Sequence, residues 1–309
     1  MNAPWLRYVA ASLALGLVAT WGSEVLFWTA PPAPVTVGEL VLTWAAYSTC
    51  VAAVLSMLLA SGVGGLTAAF LGGAALGWLV EGVLVGTMYQ AFPFQLVWTP
   101  LAWHALITGV CVVALGRAAG RWPLARLVVA WAGVGLAAGL FAWYWPLERD
   151  LPGWPVTAAY LIGLGLVVPL AHLALDRIRV VPVPATAVLL LAPAFLAVGW
   201  VGALLVWRSP VLLALPALIG LTWWTMRRLG TGRGPLDLGP PPDGAWRHLV
   251  FLAAPLTAAA VAVLGWSLTE GVETNVGFAL VTAAVSLGWY LRLVARAGWR
   301  GRVGRARAA

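Results

Sequence analysis

The sequence predicts an all-α membrane protein, a bundle of about ten transmembrane helices, and three observations predict this fold. The 309 residues are 62% hydrophobic and only 9% charged, whereas soluble domains are about 45–50% apolar and about 25% charged. Ten apolar runs, each about long enough to cross a bilayer, fill almost the whole chain. The arginines lie almost entirely at one end of these runs, as the positive-inside rule expects.

Turn-forming residues separate the ten runs and so delimit each element in order. The main separators are Pro31-Pro32-Ala33-Pro34, residues 61–65, Leu151-Pro152-Gly153, Val181-Pro182-Val183-Pro184 and the polar segment 230–247. The predicted spans are residues 8–29, 37–60, 65–91, 96–116, 124–145, 155–175, 185–207, 209–229, 248–268 and 273–295. The polar segment is the longest separator, and its Gly, Pro and Asp content predicts an exposed loop.

The positions of the arginines predict the orientation of the bundle. If the amino terminus is cytoplasmic, only Arg149 and Arg208 among the 18 basic residues lie outside, and the loop 230–247 lies inside. Several acidic residues lie at or near the outer ends: Glu39, Glu148, Asp150, Glu270 and Glu273. The sequence therefore predicts one transmembrane domain, residues 1–309, in a bacterial cytoplasmic (inner) membrane with both termini in the cytoplasm.

Composition also excludes several classes of function. All 18 basic residues are arginine, so the chain lacks the lysine that a Schiff-base cofactor or a P-loop needs. The net charge of +8 does not indicate a nucleic-acid partner, because the arginines lie in short loops and form no basic face. With only three histidines, no metal site and no cofactor are predicted.

The predicted partners are membrane lipids and a small-molecule substrate, while a homodimer or a larger membrane complex is left open.

An internal repeat is predicted from a shift of about half the chain. A shift of 155 residues places Pro100-Leu101 on Pro255-Leu256, and Gly133 on Gly288. Because five helices intervene, the halves 1–150 and 151–309 would be inverted with respect to each other. A proline inside a span frees a backbone carbonyl, and such broken turns often flank a central binding site in transporters.

Two short segments resemble a known family. They are Trp21-Gly22-Ser23 in the first run, and Ala254-Pro255-Leu256 followed by Gly265, Glu270 and Gly277 near the ninth and tenth runs. With the length and span count, they resemble the drug/metabolite transporter superfamily of the EamA type. The resemblance implies a five-plus-five inverted repeat, cytoplasmic termini and transport of a small molecule. The chain departs from the family pattern at Gly116-Arg117, where the family often has an acidic residue, and in its second span, which lacks the usual arginine.

Ionisable groups inside the predicted spans are the candidates for chemistry, because a charge within the bilayer is energetically costly. Glu81 and His104 lie about equally far from a short turn at residues 92–94, so an antiparallel hairpin would place them at one depth in the outer half. Glu24, in the first run, shares this layer. A carboxylate beside an imidazole can relay a proton or bind a substrate. Thr108 and Cys111 follow His104 on one helix face.

Tryptophan is abundant, with 20 residues, and many of them lie near predicted span ends, as an interfacial belt requires. Trp78 lies deeper, close in sequence to Glu81, and Trp21 lies close in sequence to Glu24. We expect these two side chains to form walls of a substrate cavity.

Three functions are consistent with these features. The first is a secondary transporter that carries a small molecule by alternating access, with Glu81, His104 and Glu24 as protonation or binding groups. The second is a membrane-embedded enzyme in which Glu81 and His104 act on a lipid-linked substrate at the outer leaflet. The third is a non-catalytic subunit of a membrane complex, in which the buried polar pairs only satisfy each other.

Overall fold

A computed structural model describes residues 3–32 and 35–306. Arg307, one of the arginines predicted to be cytoplasmic, and the Ala33-Pro34 part of the first separator lie outside the described residues. Within the described ranges, ten helices are long and apolar enough to cross a membrane, which confirms the predicted all-α membrane bundle. They are α1 (Pro4–Trp28), α2 (Val37–Ser61), α3 (Gly65–Leu84), α4 (Phe94–Gly120), α5 (Leu124–Leu147), α6 (Trp154–Ile178), α7 (Thr186–Trp207), α8 (Pro210–Leu229), α9 (Ala245–Leu268) and α10 (Thr274–Trp299).

The helix bounds agree with the predicted spans to within a few residues, except at α3 and at the last helix, which continues beyond the predicted residue 295 to Ala306. The span of α3 was predicted to reach residue 91, but the helix ends at Leu84. Gly86 adopts a left-handed conformation with a φ of 81°, which a residue with a side chain rarely adopts, and the chain turns away from the helix there. Glu81 therefore lies in the last turn of α3 and not in the middle of a long span.

The helices alternate in direction, so the connecting loops gather at two ends of the bundle. The basic end carries the loops at residues 61–65, 120–124, 178–186 and 229–245, and the opposite end carries the described parts, 28–32 and 35–37, of the loop between α1 and α2 and the loops at 84–94, 147–154, 207–210 and 268–274. At the basic end, β1 (Val180–Val181) pairs antiparallel with β2 (Leu236–Asp237). Many residues of the segment 230–247 are exposed, as predicted, and the segment is also bound across this end, because the amide of Gly232 donates to the Ser61 carbonyl (3.0 Å).

Helix packing is closest where glycine removes the side chain from a contact face. The two closest pairs are α3 with α4 and α5 with α9. In α5, a Cβ atom at Gly139 would lie 2.7 Å from the Cβ of Val261, so only glycine permits this approach. By contrast, only 11% of the apolar stretch of α7 is buried against the rest of the described protein. This helix therefore lies at the periphery, facing lipid.

The helix contacts agree only in part with an inverted repeat. The pairs α1–α6, α2–α7 and α3–α8 are in contact, as a symmetric five-plus-five arrangement expects. The close pair α3–α4 would correspond to α8–α9, but these two helices make little contact among the described residues. The internal repeat therefore stays a prediction.

Four of the ten helices contain π-helical turns, in which the backbone is wider than in an α-helix. They are the five-residue turns Trp21–Val25 in α1, Val80–Leu84 in α3 and Ala159–Gly163 in α6, and the 17-residue stretch Trp98–Ala114, which is most of α4. Such turns are rare and frequently occur at functional sites.

At the opposite end of the bundle, Arg149 closes the terminus of α1. Its guanidinium group donates to the carbonyls of Pro31 (2.9 Å), Trp28 (3.0 Å) and Ala30 (3.1 Å), and it lies 4.7 Å from the centre of the Trp145 ring. Trp28 and Trp145 stack with a ring separation of 4.9 Å. Burial lowers the pKa of Arg149, because the charged form loses solvent.

Candidate functional site

The carboxylate of Glu81 and the imidazole of His104 are in direct contact. The His104 Nε2 atom lies 3.0 Å from Oε1 of Glu81, and the two residues are 3% and 9% exposed, respectively. The second carboxylate oxygen of Glu81 accepts a hydrogen bond from the Thr87 hydroxyl. The sequence therefore predicted correctly that these two helices bring the pair to one depth.

The other side of the His104 ring is held by two hydroxyl groups. Nδ1 of His104 lies 2.9 Å from the Ser23 hydroxyl, which in turn lies 2.9 Å from the Thr108 hydroxyl. Ser23 belongs to α1, so the chain of hydrogen bonds joins α1, α3 and α4. We define Glu81, His104, Ser23, Thr108 and Thr87 as the polar network.

Glycines on α3 place the two members of the central pair within reach. A Cβ atom at Gly73 would lie 2.7 Å from the His104 carbonyl oxygen, and one at Gly77 would lie 2.8 Å from the Cβ of His104. Because α3 carries no side chain at these positions, α4 lies directly against it. Glu81 follows Gly77 by one turn, so the close approach brings its carboxylate to the imidazole.

The residues of the polar network are concentrated in the π-helical turns. Ser23 lies in the π turn of α1, Glu81 in that of α3, and His104 and Thr108 in that of α4. The extra residue in a π turn rotates the following side chains relative to an α-helix, so regular helical periodicity does not predict where they point.

Glu24 lies beside the polar network rather than within it. Its carboxylate accepts hydrogen bonds from the Tyr47 hydroxyl (2.6 Å) and from the Trp28 indole (3.3 Å). The ring of Tyr47 lies 6.3 Å from the ring of His104, so Tyr47 is the residue between Glu24 and the network. Sequence reasoning did not identify Tyr47, because a lone tyrosine inside an apolar run carries no signal of its partner.

Trp21 and Trp78, the predicted cavity walls, are both buried and hydrogen bonded to other helices or loops. The Trp21 indole donates to the Leu161 carbonyl of α6 (3.2 Å), and the Trp78 indole donates to the Leu96 carbonyl (3.1 Å). Neither side chain lines the two cavities described below. Trp103, next to His104, lines the larger cavity instead.

Two cavities lie between α4, α5 and α10, and each involves residues of both halves of the chain. The larger, about 260 Å³, is lined by apolar side chains, among them Trp103, Ile107, Cys111, Ala137 and Phe278. The smaller, about 200 Å³, lies towards the opposite end and includes Trp98, Phe141 and Asn275. Neither cavity is lined by Glu81 or His104, so the polar network is separated from both.

A second buried polar cluster, which sequence reasoning missed, lies at the basic end. Asp176 binds Arg117 (2.7 Å) and Nε2 of His248 (2.6 Å), and His248 stacks on His172 at a ring separation of 5.5 Å. Arg117 also donates to the Leu238 carbonyl (2.9 Å), which ties the segment 230–247 to α4. We define Arg117, His172, Asp176 and His248 as the basic-end cluster. Its members are far apart in the sequence and lie at helix ends, where interfacial charges are common.

Neither cluster has the arrangement of a metal centre. Among the residues that the structure describes, no group of three or more His, Cys, Asp or Glu side chains is placed to hold a metal ion. The polar network presents a carboxylate, an imidazole and neighbouring hydroxyl groups, which can bind and transfer protons.

Comparison with protein-family models, with curated proteins and with solved structures finds no match to this chain. The relationship to the EamA-type transporters therefore stays a prediction that rests on the two short segments, the length and the span count.

Proposed function

We propose that this protein is a secondary transporter that carries a small molecule across a bacterial cytoplasmic membrane by alternating access. Glu81 and His104 bind the coupling proton, both termini lie in the cytoplasm, and the chain is a distant relative of the EamA-type transporters. The observation that carries the proposal is the Glu81–His104–Ser23–Thr108 chain of hydrogen bonds, buried between α1, α3 and α4.

This network can hold one proton more or less without losing a hydrogen bond. With neutral His104, the Nε2–H group donates to Glu81, and Nδ1 accepts from Ser23, which accepts from Thr108. When Nδ1 gains a proton, it donates to Ser23, whose hydroxyl turns to donate to Thr108. The proton also neutralises the charge of the buried pair, which lowers the cost of keeping a carboxylate away from water.

The connection to three helices gives the proton a route to conformational change. Protonation alters the interaction of α4 with α1 and α3 at once, because His104 contacts Ser23 of α1 and Glu81 of α3. A ligand or a proton shifts a conformational equilibrium only when it binds two states with different free energies. The net charge of the Glu81–His104 pair changes on protonation. The pair therefore meets this condition when it is more hydrated in one conformation of the transporter than in the other.

The alternative of a membrane-embedded enzyme has support from one observation, the imidazole–carboxylate distance of 3.0 Å, which is typical of general acid–base pairs. However, both ring nitrogens of His104 are occupied by Glu81 and Ser23, and neither described cavity reaches the pair. A substrate would have to displace one partner before reaction. The same burial and pairing would serve the third possibility, a structural subunit.

The test is proton-coupled flux in sealed vesicles. Purified protein is reconstituted with an internal pH indicator, and a panel of small amphiphilic and polar molecules is added outside. We expect at least one compound to cause acidification or alkalinisation in the wild type and not in Glu81→Gln. Glu270→Gln is the matched control, because Glu270 is an exposed carboxylate in the loop between α9 and α10 and is not part of the polar network.

Two outcomes would contradict the proposal. Flux that is equal in Glu81→Gln and the wild type would remove the proton-binding role of the pair. Chemical conversion of an added compound, detected by mass spectrometry, that needs both Glu81 and His104 would favour the enzyme instead.

A further inference from the structure

The larger cavity is an apolar crevice at the depth of the hydrocarbon core. It extends along α4 from Trp103 to Cys111, about two turns, and is bounded by α5 and by Phe278 of α10. The α4 positions, and Gly133 and Ala137 of α5, lie well inside their spans, about nine residues or more from the nearest helix end, while Phe278 lies about one turn after the start of α10. Most of the crevice is therefore far from bulk water on either side of the membrane.

The crevice opens sideways, between α4 and α5, towards lipid. Gly133 on its rim is exposed at the protein surface, and Ile107, Cys111 and Ala137 are half-buried, whereas Trp103 at its inner wall is buried. A Cβ atom at Gly133 would have no other atom within 4 Å, so the space beside it is empty of protein.

We propose that this crevice is a binding site for a hydrocarbon chain that enters from the bilayer. An apolar cavity of about 150 Å³ stays dry and binds a molecule as large as benzene, and this crevice has about 260 Å³. Its described lining has no charged side chain that would favour a polar ligand. At this depth, the available apolar molecules are the acyl chains of lipids and the chains of isoprenoids or other amphiphiles.

The crevice and the polar network lie on two faces of one helix. Trp103 and Ile107 face the crevice, while His104 and Thr108, each one residue further on, face Ser23 and Glu81. The indole of Trp103 also donates to the Gly22 carbonyl (3.0 Å), next to Ser23. A chain bound in the crevice therefore contacts the helix that carries His104.

The test uses photo-crosslinking and does not depend on transport. The protein is reconstituted in vesicles that contain a phospholipid with a diazirine at the middle of one acyl chain, and crosslinked residues are located by mass spectrometry. We expect crosslinks at Ile107 and Cys111 and none at Leu127, which is fully buried. Phe195 on α7, which is 69% exposed, reports ordinary contact with surrounding lipid.

Gly133→Leu fills the crevice and should lower crosslinking at Ile107 and Cys111 by about tenfold, a loss of roughly 1.4 kcal/mol of binding free energy. Crosslinking at Phe195 should not change. Gly202→Leu on α7 is the matched control, because its Cβ would also meet no atom within 4 Å and it does not line the crevice. It should leave Ile107 and Cys111 crosslinked as in the wild type.

Competition identifies the source of the chain. Protection of Cys111 by an unlabelled polyprenyl phosphate, and not by extra unlabelled phospholipid, indicates an isoprenoid, while the reverse indicates an ordinary acyl chain. The proposal is wrong if Ile107 and Cys111 crosslink no more than Leu127, or if Gly133→Leu leaves their crosslinking unchanged. Failure of the proposed transport would leave these outcomes as they are.

Discussion

At the scale of single residues, Ser23 is the position on which the polar network depends most. Its hydroxyl forms the hydrogen bond between His104 on α4 and α1, and it is also hydrogen bonded to the Thr108 hydroxyl. The sequence indicated Glu81 and His104, because charged groups stand out in an apolar run. It did not indicate the role of Ser23, because a serine in a membrane helix commonly bonds to its own backbone.

We predict that Ser23→Ala destabilises the protein and changes its response to pH. The substitution leaves Nδ1 of the buried His104 without a partner, which costs about 1–3 kcal/mol. Chemical unfolding in detergent should show this loss, and any proton-coupled flux should shift its pH dependence. Ser267→Ala, at an exposed position of α9, should change neither quantity. Equal stability of the two variants would mean that the His104–Ser23 contact is not formed.

Tyr89, in the loop between α3 and α4, gives a prediction at alkaline pH. Its hydroxyl donates to the Gly82 carbonyl (3.0 Å), and burial raises its pKa to about 12, against about 10 in an unfolded chain. The contribution of Tyr89 to the free energy of unfolding is therefore complete below about pH 10 and is lost as the pH rises towards about 12. Tyrosinate absorbance during titration, compared between wild type and Tyr89→Phe, measures this pKa. A tyrosine that titrates near pH 10 and disappears in the variant would contradict the prediction.

At the scale of elements, the basic-end cluster connects α4, α6 and α9 with the segment 230–247. Asp176 is the single acid between Arg117 and His248, and Arg117 also holds the Leu238 carbonyl. If alternating access occurs, the basic end has to open, and these contacts have to break. The cluster is thus the natural place to look for a contact that differs between two conformations.

We predict that Asp176→Asn costs about 3–5 kcal/mol of stability, because it leaves the guanidinium of Arg117 buried without its carboxylate. The loss should be visible in chemical unfolding, and the segment 230–247 should become more sensitive to added protease. Asp243→Asn is the matched control, since Asp243 is an exposed residue of the same segment. A protease pattern that is identical in the two variants would show that Asp176 does not hold the segment in place.

The helices themselves could be predicted from the sequence, whereas several of their details could not. Long apolar runs and turn-forming separators define a membrane helix well, because the bilayer imposes length and composition. The π turns have no comparable signature, and they determine which way Ser23 and His104 point. The end of α3 was misplaced for a similar reason, since the residues around Gly86 are apolar enough to continue a span.

At the scale of the whole molecule, the alternation of ten helices gathers the arginine-rich loops at one end. The grouping of the loops is a property of the fold, while the side of the membrane on which each group lies is inferred from the positive-inside rule. The pairing of Glu81 with His104 could be predicted because it is local to one hairpin. The basic-end cluster could not, since Asp176 and His248 are separated by 72 positions and only the packed bundle joins them.

We predict that the basic end is cytoplasmic. In a background with Cys50 and Cys111 replaced by alanine, Asp243→Cys should react with a membrane-impermeant maleimide only after the cells are permeabilised. Glu270→Cys, at the opposite end, should react in intact cells and serves as the control. Labelling of Asp243→Cys in intact cells would reverse the orientation and place the polar network in the inner half of the membrane.

A count of the arginines at each end of the bundle understates the difference in solvated positive charge between the two ends, and Arg149 shows why. Its guanidinium group is held by three carbonyl oxygens around the end of α1, where the helix dipole is negative, and its charge is partly shielded by two indole rings. In the folded state its hydrogen bonds and ring contacts connect the end of α1 with the end of α5, so it does not behave as a solvated cation. Lysine could not replace it, because an ammonium group lacks the planar fork that reaches several acceptors together. If the basic end is cytoplasmic, as predicted, these contacts within the fold would retain Arg149 on the far side of the bilayer.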